Sequence, residues 1–340
     1  MKSLNEDYYN PFFSHIYIEK TVWEHSRTKA ILARFPQAER IEIGHYKDVF
    51  GRSRQSYMRQ HCAQKLILAK KQKSFIYEGA PVCQSFGNEY FYYTSCMRNC
   101  IFDCEYCYLK GMYSSGNIVI FVNLEDYFEE IEKVLNRHSM YLCISYDTDL
   151  MAFEPVTGYA REWARFAGQH DNLKIEVRTK SANRTFWANE KAFPGMIYAF
   201  TLSPQAVIDA YEHQTPPLRA RLDCAAQALR AGFAVRLCFD PMIYFPGWQE
   251  HYEAMLRQVF DRIDMEKIED VSVGSFRVSQ DYLKRMRKNA PDSAVVQFPF
   301  QNDGGVYHYS GELTEQMEQF LTARLRKKIP EEKIFLWEQL

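Results

Sequence analysis

The stretch Cys100-Ile-Phe-Asp-Cys104-Glu-Tyr-Cys107 carries three cysteines at the spacing C-x3-C-x2-C. Three thiolates on one tight loop can hold three irons of a [4Fe–4S] cluster and leave the fourth iron open to a small molecule. A zinc site normally needs four ligands. Cys96 could supply a fourth, so a zinc site or a closed electron-transfer cluster is the alternative. We predict the open cluster, with Cys100, Cys104 and Cys107 as ligands, because the loop directly follows a predicted strand of an α/β region.

Outward from this loop, short apolar runs alternate with helical patterns from residue 89 onward. Runs rich in β-branched and aromatic residues predict six strands, Tyr90–Thr94, Tyr141–Asp147, Leu173–Arg178, Met196–Leu202, Phe233–Pro241 and Asp270–Phe276. Apolar residues recurring every three or four positions predict helices at Asn123–His138, Pro216–Gly232 and Gly247–Ile263. About six βα units in series predict an α/β fold built as a partial (β/α)6 TIM-like barrel, with catalytic groups at the carboxyl ends of its strands. A doubly wound open sheet is the alternative.

Three regions are predicted: an N-terminal α/β extension at 1–88, the barrel at 89–290, and a C-terminal hairpin plus helix at 291–340. Within the extension, Gly51–Lys73 contains seven basic residues and no acidic one, and its apolar residues at 66–69 predict an amphipathic helix with a basic face. Near the end, Asn302-Asp303-Gly304-Gly305 predicts the turn of a hairpin with strands at Gln297–Phe300 and Val306–Tyr309. Helix Leu313–Lys328 and an apolar tail, Ile334–Trp337, are predicted to follow.

The composition describes a folded protein with a sizeable core. Of 340 residues, 46% are hydrophobic and 25% are charged, with 42 Lys and Arg against 43 Asp and Glu. These values exclude a disordered chain, a collagen-like chain and a globally basic DNA-coating protein. We expect a cytoplasmic protein without a membrane partner, because the sequence shows neither a long apolar run nor a secretion signal. Nine cysteines, an odd number, favour metal or redox use over a disulfide framework.

The cysteine loop resembles that of the radical S-adenosylmethionine enzymes, in which C-x3-C-x-aromatic-C follows the first strand of a partial barrel. Tyr106 is the aromatic residue here. The segment Cys104-Glu-Tyr-Cys107-Tyr-Leu-Lys-Gly is similar to the CxYCYLQ segment of the spore photoproduct lyase family. Three further stretches, within a match that covers most of residues 89–260, are similar to that family: Ala199-Phe-Thr-Leu-Ser203, Tyr211-Glu-His-Gln-Thr-Pro-Pro-Leu-Arg-Ala-Arg221 and Phe239-Asp-Pro-Met-Ile-Tyr-Phe-Pro-Gly-Trp248.

This resemblance implies an enzyme that cleaves S-adenosylmethionine at its cluster and uses the 5′-deoxyadenosyl radical to repair spore photoproduct, a thymine–thymine lesion in DNA. In the family, two tyrosines that flank the last cluster cysteine help to return the radical to the cofactor. Tyr106 and Tyr108 match that pair. Simple packing around the cluster is the alternative role for both rings.

The sequence departs from the family at the residue that donates hydrogen to the product radical. The family's SCTSD segment lines up with Ser145-Tyr146-Asp147-Thr148-Asp149, so Tyr146 replaces the donor cysteine. Cys143 lies three residues earlier, and an odd separation along a strand predicts that its side chain points to the opposite face. The alternatives are hydrogen donation by Cys96, hydrogen donation by Cys238, or a radical relay by Tyr146 itself.

The resemblance also implies three contacts to S-adenosylmethionine, from Thr148, Lys180 and Thr201. All three follow predicted strands, where ligands collect in such sheets. Lys180 is the strongest candidate because its ammonium can pair with the methionyl carboxylate. Ordinary capping of strand ends is the alternative for each of the three residues.

The expected partners are DNA carrying a pyrimidine lesion and a low-potential electron donor such as flavodoxin or ferredoxin. Phosphate contacts are predicted from the basic residues of Arg52–Lys73 and from a second group, Arg277, Lys284, Arg285, Arg287 and Lys288. A solvated helix face is the alternative for each group. A lesion in a duplex must be flipped out to reach a barrel interior. The hairpin aromatics either fill the gap as a wedge or pack against the barrel; they are Phe298, Phe300, Tyr307 and Tyr309.

Two other functions are compatible with the sequence. The first is a radical enzyme of the same family that acts on a different nucleobase. The second is a non-enzymatic iron–sulfur or zinc protein in which Cys96 completes the ligand set.

Overall fold

The computed structural model describes residues 12–79 and 83–336, so the predictions that involve residues 1–11, 80–82 and 337–340, including Trp337, lie outside the described residues. Its strands are, in chain order, β1 His15–Glu19, β2 Glu39–Ile43, β3 Leu66–Ala69, β4 Ile76–Glu78, β5 Phe91–Thr94, β6 Met97–Arg98, β7 Asp103–Cys104, β8 Ile118–Phe121, β9 Met140–Cys143, β10 Leu173–Thr179, β11 Met196–Thr201, β12 Glu212–His213, β13 Ala234–Met242, β14 Val271–Ser275, β15 Arg277–Ser279, β16 Gln301–Asp303, β17 Val306–His308 and β18 Ile334–Leu336.

The helices lie mainly between these strands. They are α1 Ser26–Arg34, α2 Lys47–Phe50, α3 Tyr57–His61, α4 Leu109–Met112, α5 Leu124–Leu135, α6 Leu150–Thr157, α7 Tyr159–Ala167, α8 Arg184–Asn189, α9 Gln205–Tyr211, α10 Leu218–Arg230, α11 Trp248–Arg262, α12 Gln280–Asn289 and α13 Gly311–Leu325. Two short 3₁₀ helices lie at Lys20–Val22 and Glu331–Lys333. None of the helices within the described ranges is long and apolar enough to cross a membrane.

The larger sheet has the order β18-β14-β13-β11-β10-β9-β5-β4. Its strands β5, β9, β10, β11, β13 and β14 are parallel and neighbour one another in chain order. Each crossover between them contains at least one helix. A doubly wound sheet would reverse its strand order at a switch point, whereas this order runs in one direction. The predicted partial (β/α)6 barrel is therefore confirmed.

One prediction for the N-terminal extension is wrong. The apolar residues at 66–69 do not form an amphipathic helix; they form β3, a fully buried strand with parallel partners on both sides. A strand buried on both faces is apolar at successive positions, so its sequence lacks the alternation of a half-exposed strand. Within Gly51–Lys73 the helical residues are Tyr57–His61 alone.

The smaller sheet joins the extension to the barrel region. Its order is β2-β1-β3-β8-β6, so two of its strands come from beyond residue 88. In the other direction, β4 of the extension pairs antiparallel with β5 of the barrel sheet. Each of the two sheets thus pairs strands from both sides of the predicted boundary at residue 88. The division into three regions stays a prediction.

The C-terminal hairpin forms where it is predicted, with its first strand shifted. The chain turns at Gly304 and Gly305, which have φ angles of 57° and 87°. Two adjacent residues at positive φ make the tight two-residue turn that matches strand twist, so the first strand continues to Asp303 and is observed as β16 rather than at Gln297–Phe300. Strand β17 pairs with β16 and β15, and the tail strand β18 runs parallel to β14.

Candidate active site

A cavity of about 380 Å³ opens at the carboxyl ends of the barrel strands. Its walls come from the cysteine loop after β6, the segment after β9, the ends of β10 and β11, and residues in and after β13 and β14. The lining includes the predicted cluster ligands, the predicted cofactor contacts and the three tyrosines predicted for radical chemistry, namely Cys100, Cys104, Tyr106, Cys107, Tyr108, Tyr146, Thr148, Lys180 and Thr201. The fold therefore brings together residues spread over 102 positions of the chain.

Hydrogen bonds from polar side chains hold the cysteine loop in place. Asn99, which has a φ angle of 64°, donates from its side-chain amide to the carbonyls of Ser115 and Asn117, both at 2.7 Å. The side-chain amide of Gln64 donates to the carbonyl of Cys100 at 2.9 Å. Asparagine tolerates the left-handed conformation better than most residues, so Asn99 can turn the chain directly before the first cysteine.

The second half of the loop is tied to the barrel. Strand β7 pairs antiparallel with β12, with Cys104 opposite Glu212. The backbone N–H of Glu105 donates to the carbonyl of Tyr211 at 2.8 Å. Gly111 in α4 packs against α12, because a Cβ atom there would lie 2.4 Å from the carbonyl oxygen of Tyr282. These contacts anchor the loop on both of its sides.

The three loop thiols fit an iron–sulfur cluster by their chemistry and their common exposure to the cavity. Burial raises the pKa of Cys104 to about 12 and raises the pKa of Cys100 and Cys107 as well. The backbone N–H of Phe102 donates to the Cys100 sulfur at 3.4 Å. Without metal the thiols therefore keep their protons, and iron binding would release them.

Cys96 lies apart from this group. It is fully buried and does not belong to the described cavity lining. Burial raises its pKa to about 12. Within the described ranges, no three His, Cys, Asp or Glu side chains converge closely enough to hold a single metal ion.

Lys180, at the end of β10, lies between the cysteine loop and a buried carboxylate. Its Nζ atom is 3.5 Å from the Cys104 sulfur, 2.9 Å from the Tyr106 hydroxyl and 3.3 Å from a carboxylate oxygen of Glu212. Glu212 is also paired with Arg221, and neither side chain of that pair is exposed. Burial opposes its charge, but Arg221 and Lys180 hold the pKa of Glu212 well below its usual range. The lysine is thus a charged group on the cavity wall.

Glu212 was missed as a site residue by the sequence reasoning. It lies within the quoted stretch that begins at Tyr211, but nothing local indicates that it faces Lys180. Asp149 was missed for the same reason: its carboxylate accepts the backbone N–H of Lys180 at 2.6 Å and the hydroxyl of Thr179 at 2.7 Å. Both carboxylates position the end of β10.

The two loop tyrosines point to different partners. The Tyr106 hydroxyl donates to Glu212, and the ring is almost fully buried. The Tyr108 hydroxyl donates to the backbone carbonyl of Tyr146, and the centroids of the Tyr108 and Tyr146 rings are 5.6 Å apart. Tyr108 therefore joins the cysteine loop to the segment after β9.

The two predicted threonines line the cavity as well. Thr148 is 7% exposed, and its hydroxyl has no hydrogen-bond partner among the described residues. A buried polar atom without a partner is costly, so this hydroxyl is available to a ligand. Thr201 is also buried, at the end of β11.

The prediction that Cys143 points away from Tyr146 is wrong, because both line the cavity. Strand β9 ends at Cys143, and the chain turns at Tyr146, so strand alternation does not apply between them. The other two predicted donors, Cys96 and Cys238, are fully buried and do not belong to the described lining. Cys83, which the sequence reasoning did not single out, lines the cavity from the segment between β4 and β5.

Part of the cavity lining is charged. Arg178, Asp240 and Arg277 belong to the lining, and an Arg277 nitrogen lies 3.2 Å from an Asp240 oxygen. Of the predicted basic group, Lys284, Arg285 and Lys288 on α12 are exposed. Arg285 donates to the carbonyls of Gly111 and Met112, and Arg287 donates to those of Val296 and Phe298. Tyr282 in the same helix lines the cavity.

The hairpin aromatics pack against the barrel. Tyr309 is 1% exposed, and its ring centroid lies 4.9 Å from that of Phe298 and 5.2 Å from that of Phe300. Phe300 in turn contacts Phe276 at 5.3 Å. Phe300 and Tyr309 belong to the core, and the half-buried Phe298 and Tyr307 pack against it, so these rings do not form a wedge.

Comparisons with known proteins agree on one family. The sequence model of the family described as spore photoproduct lyase matches residues 13–337. The chain is 25% identical over 176 residues to spore photoproduct lyase of Bacillus subtilis (strain 168), covering 51% of this chain and 50% of that protein. It is 21% identical over 177 residues to spore photoproduct lyase of Geobacillus sp. (strain Y412MC61), covering 51% of this chain and 52% of that protein. The chain thus spans about half the length of the curated relatives it matches.

Solved structures show the same fold. A mutant spore photoproduct lyase with bound AdoMet and dinucleoside spore photoproduct aligns with a TM-score of 0.81 at 18% identity, covering 97% of this chain and 100% of that chain. A spore photoproduct lyase complexed with dinucleoside spore photoproduct aligns with a TM-score of 0.80 at 16% identity, covering 97% and 99%.

Proposed function

Because the chain belongs to the spore photoproduct lyase family, we propose that it is a radical S-adenosylmethionine enzyme that repairs spore photoproduct in DNA. The observation that carries this proposal is the shared cavity, which collects the three loop thiols and the predicted cofactor contacts at one end of the barrel. The relative whose structure holds AdoMet and dinucleoside spore photoproduct together supports the same assignment.

Cys100, Cys104 and Cys107 would hold a [4Fe–4S] cluster through three of its irons. When bound, the cluster supplies the electron that cleaves S-adenosylmethionine and so provides the 5′-deoxyadenosyl radical. The protein's part is to hold the reactants in position and to keep water away from them.

Lys180 would pair with the carboxylate of S-adenosylmethionine, because its ammonium faces the cavity beside Cys104. The free hydroxyl of Thr148 supports a second polar contact to the cofactor. Thr201 completes the proposed set at the end of β11. Tyr106 and Tyr108 would return the radical after repair, with Tyr106 adjoining Lys180 and Tyr108 adjoining Tyr146.

The lesion would enter on the side of Arg178, Asp240 and Arg277, whose charged groups can hydrogen-bond the carbonyl and imide groups of thymine. The exposed Lys284, Arg285 and Lys288 on α12 would contact phosphates of the flanking DNA. A low-potential donor such as flavodoxin or ferredoxin would supply the electron, and a cytoplasmic location would fit these partners.

Anaerobic reconstitution tests the proposal. Protein with an iron–sulfur cluster is incubated with dithionite, S-adenosylmethionine and oligonucleotides that were ultraviolet-irradiated as dry films. We expect 5′-deoxyadenosine and conversion of the lesion to two thymines. Cys104→Ala should lose the brown cluster and all turnover, whereas Cys62→Ala, which changes an exposed cysteine, should retain both.

A different nucleobase substrate is the second candidate, and Tyr146 at the family's donor position favours it. Abundant 5′-deoxyadenosine with an unchanged lesion would support this candidate and remove the repair assignment. Absence of S-adenosylmethionine cleavage, with cluster binding that depends on Cys96, would instead support a non-enzymatic metal protein.

A further inference from the structure

The cavity contains a thiol–phenol contact outside the cysteine loop. The Cys83 thiol donates to the Tyr146 hydroxyl, with 3.8 Å between Sγ and Oη. Both residues line the cavity, and 63 positions separate them in the sequence. We propose, on the basis of the proposed function, that Cys83 donates the hydrogen atom that quenches the product radical and that Tyr146 then restores Cys83.

A hydrogen-atom donor must carry its hydrogen when the radical forms. Burial raises the pKa of Cys83 above its usual value of 9.0, so the thiol is protonated at neutral pH. Thr148 lines the same cavity, and its buried hydroxyl lacks a hydrogen-bond partner among the described residues. The cavity that contains the thiol therefore offers this hydroxyl to a bound ligand.

Tyr146 connects this thiol to the cysteine loop. Its ring centroid is 5.6 Å from that of Tyr108, whose hydroxyl donates to the Tyr146 carbonyl. Tyr108 directly follows Cys107. A continuous series of contacts thus runs from Cys83 through Tyr146 and Tyr108 to the proposed cluster.

Among the described residues, Cys143 is the other cysteine outside the loop that lines the cavity, and its environment differs from that of Cys83. Glu176 and Arg178 lie beside it. The nearby Tyr141 hydroxyl donates to Glu176 at 2.6 Å and accepts from Arg236 at 2.5 Å. That phenol hydrogen is held by an ion-pair network, whereas Tyr146 has its hydroxyl against the Cys83 thiol.

The proposed steps each move one hydrogen atom. The S–H bond of Cys83 breaks while a C–H bond forms on the carbon-centred product radical. The resulting thiyl takes the hydroxyl hydrogen of Tyr146, so the S–H bond forms again and the tyrosine becomes a neutral radical. Tyr108 restores Tyr146 in the same way, and the 5′-methyl group of the deoxyadenosine left by the proposed activity restores Tyr108. No further oxidant or reductant is needed.

Single-turnover and multiple-turnover repair in D₂O test this series. Thiol and phenol hydrogens exchange with solvent, so wild-type protein should place one deuterium in the thymine methyl group. Cys83→Ala should still form 5′-deoxyadenosine and consume lesion, but its yield of thymine should fall about tenfold or more even in the first turnover. Tyr146→Phe should give deuterated thymine in the first turnover. Its later turnovers should be slower, because the Cys83 thiyl is not converted back to the thiol.

Cys143→Ala is the matched control, since it removes a thiol from the same cavity, and we expect wild-type yield from it. Cluster absorbance of each variant reports whether its site is intact. Freeze-quench electron paramagnetic resonance gives a readout that does not depend on product yield. Wild-type protein should show a tyrosyl radical signal, which should narrow when the tyrosines are ring-deuterated. The signal should be absent in Cys83→Ala.

The outcomes separate the two proposals. Equal thymine yields from wild type and Cys83→Ala, or loss of yield in Cys143→Ala instead, would overturn the role of Cys83 and leave repair intact. First-turnover failure in Tyr146→Phe with normal yield in Cys83→Ala would make Tyr146 the donor. Wild-type protein that cleaves S-adenosylmethionine but leaves the lesion unchanged would overturn the proposed function and the role of Cys83 with it.

Discussion

The Nζ atom of Lys180 lies 3.5 Å from the Sγ atom of Cys104. The two residues are 76 positions apart, and the end of β10 brings the lysine to the cysteine loop. Glu212 faces the same ammonium and is itself neutralised by Arg221. Lys180 therefore keeps its charge at the cavity wall, beside the position where the proposed cofactor would bind.

Lys180→Met should weaken binding of S-adenosylmethionine. A hydrogen bond to a charged group contributes about 1.5–3 kcal/mol, which corresponds to a rise of about 10-fold to 100-fold in KM. Measured rates of 5′-deoxyadenosine formation against cofactor concentration would check this. Lys180→Arg keeps the charge, so its KM should lie between those of Lys180→Met and the wild type. An unchanged KM in Lys180→Met would contradict the assigned contact.

Gly111→Ala should damage the cysteine loop. The added Cβ would lie 2.4 Å from the Tyr282 carbonyl oxygen, and such overpacking costs about 1–3 kcal/mol of stability. We expect a lower urea midpoint and less iron per chain after reconstitution. Gly311→Ala is the control, because a Cβ at that helical position meets no atom within 4 Å. Equal iron content in both variants would show that the α4–α12 packing does not support the loop.

Glu154 should make stability depend on pH. Burial raises its pKa from 4.5 to about 7, although its carboxylate accepts the backbone N–H groups of Ala160 and Arg161. The folded chain then binds more protons than the unfolded chain between these values, so stability falls as pH rises through that window. Between pH 5 and pH 8 this group should remove about 1–3 kcal/mol from the free energy of unfolding.

Glu154→Gln should abolish this contribution to the pH dependence of the free energy of unfolding. Urea unfolding of wild type and variant at pH 5 and pH 8 measures the difference directly. If both proteins show the same change in the free energy of unfolding, Glu154 is charged in the folded chain throughout this range.

Lys284→Ala and Lys288→Ala should weaken DNA binding without changing cofactor cleavage in the absence of DNA. Each phosphate contact that is lost should lower the slope of log affinity against log salt concentration by about 0.9. Binding of a lesion-containing duplex at several salt concentrations checks this. Lys267→Ala is the control: Lys267 is an exposed lysine that precedes β14 and so lies toward the opposite end of the strands. A slope equal to that of Lys267→Ala would exclude a phosphate contact from α12.

Local patterns were sufficient for much of the barrel. The predicted strand Met196–Leu202 is observed as Met196–Thr201, and the predicted helix Gly247–Ile263 as Trp248–Arg262. Apolar spacing determines which face of such an element is buried, so these elements are visible in the sequence. The same rules misassigned residues 66–69, because an apolar run of four residues fits a buried strand and a helix equally well.

The sequence by itself determined the spacing of Cys100, Cys104 and Cys107 and the series of βα units that places this loop at one end of a barrel. Only the tertiary structure decided that Lys180 meets Cys104 and that Cys83, rather than a residue near position 146 in the chain, supplies the thiol beside Tyr146. The reason is physical: spacing and periodicity are properties of neighbouring residues. Contacts across 76 and 63 positions, by contrast, depend on how whole strands and loops pack.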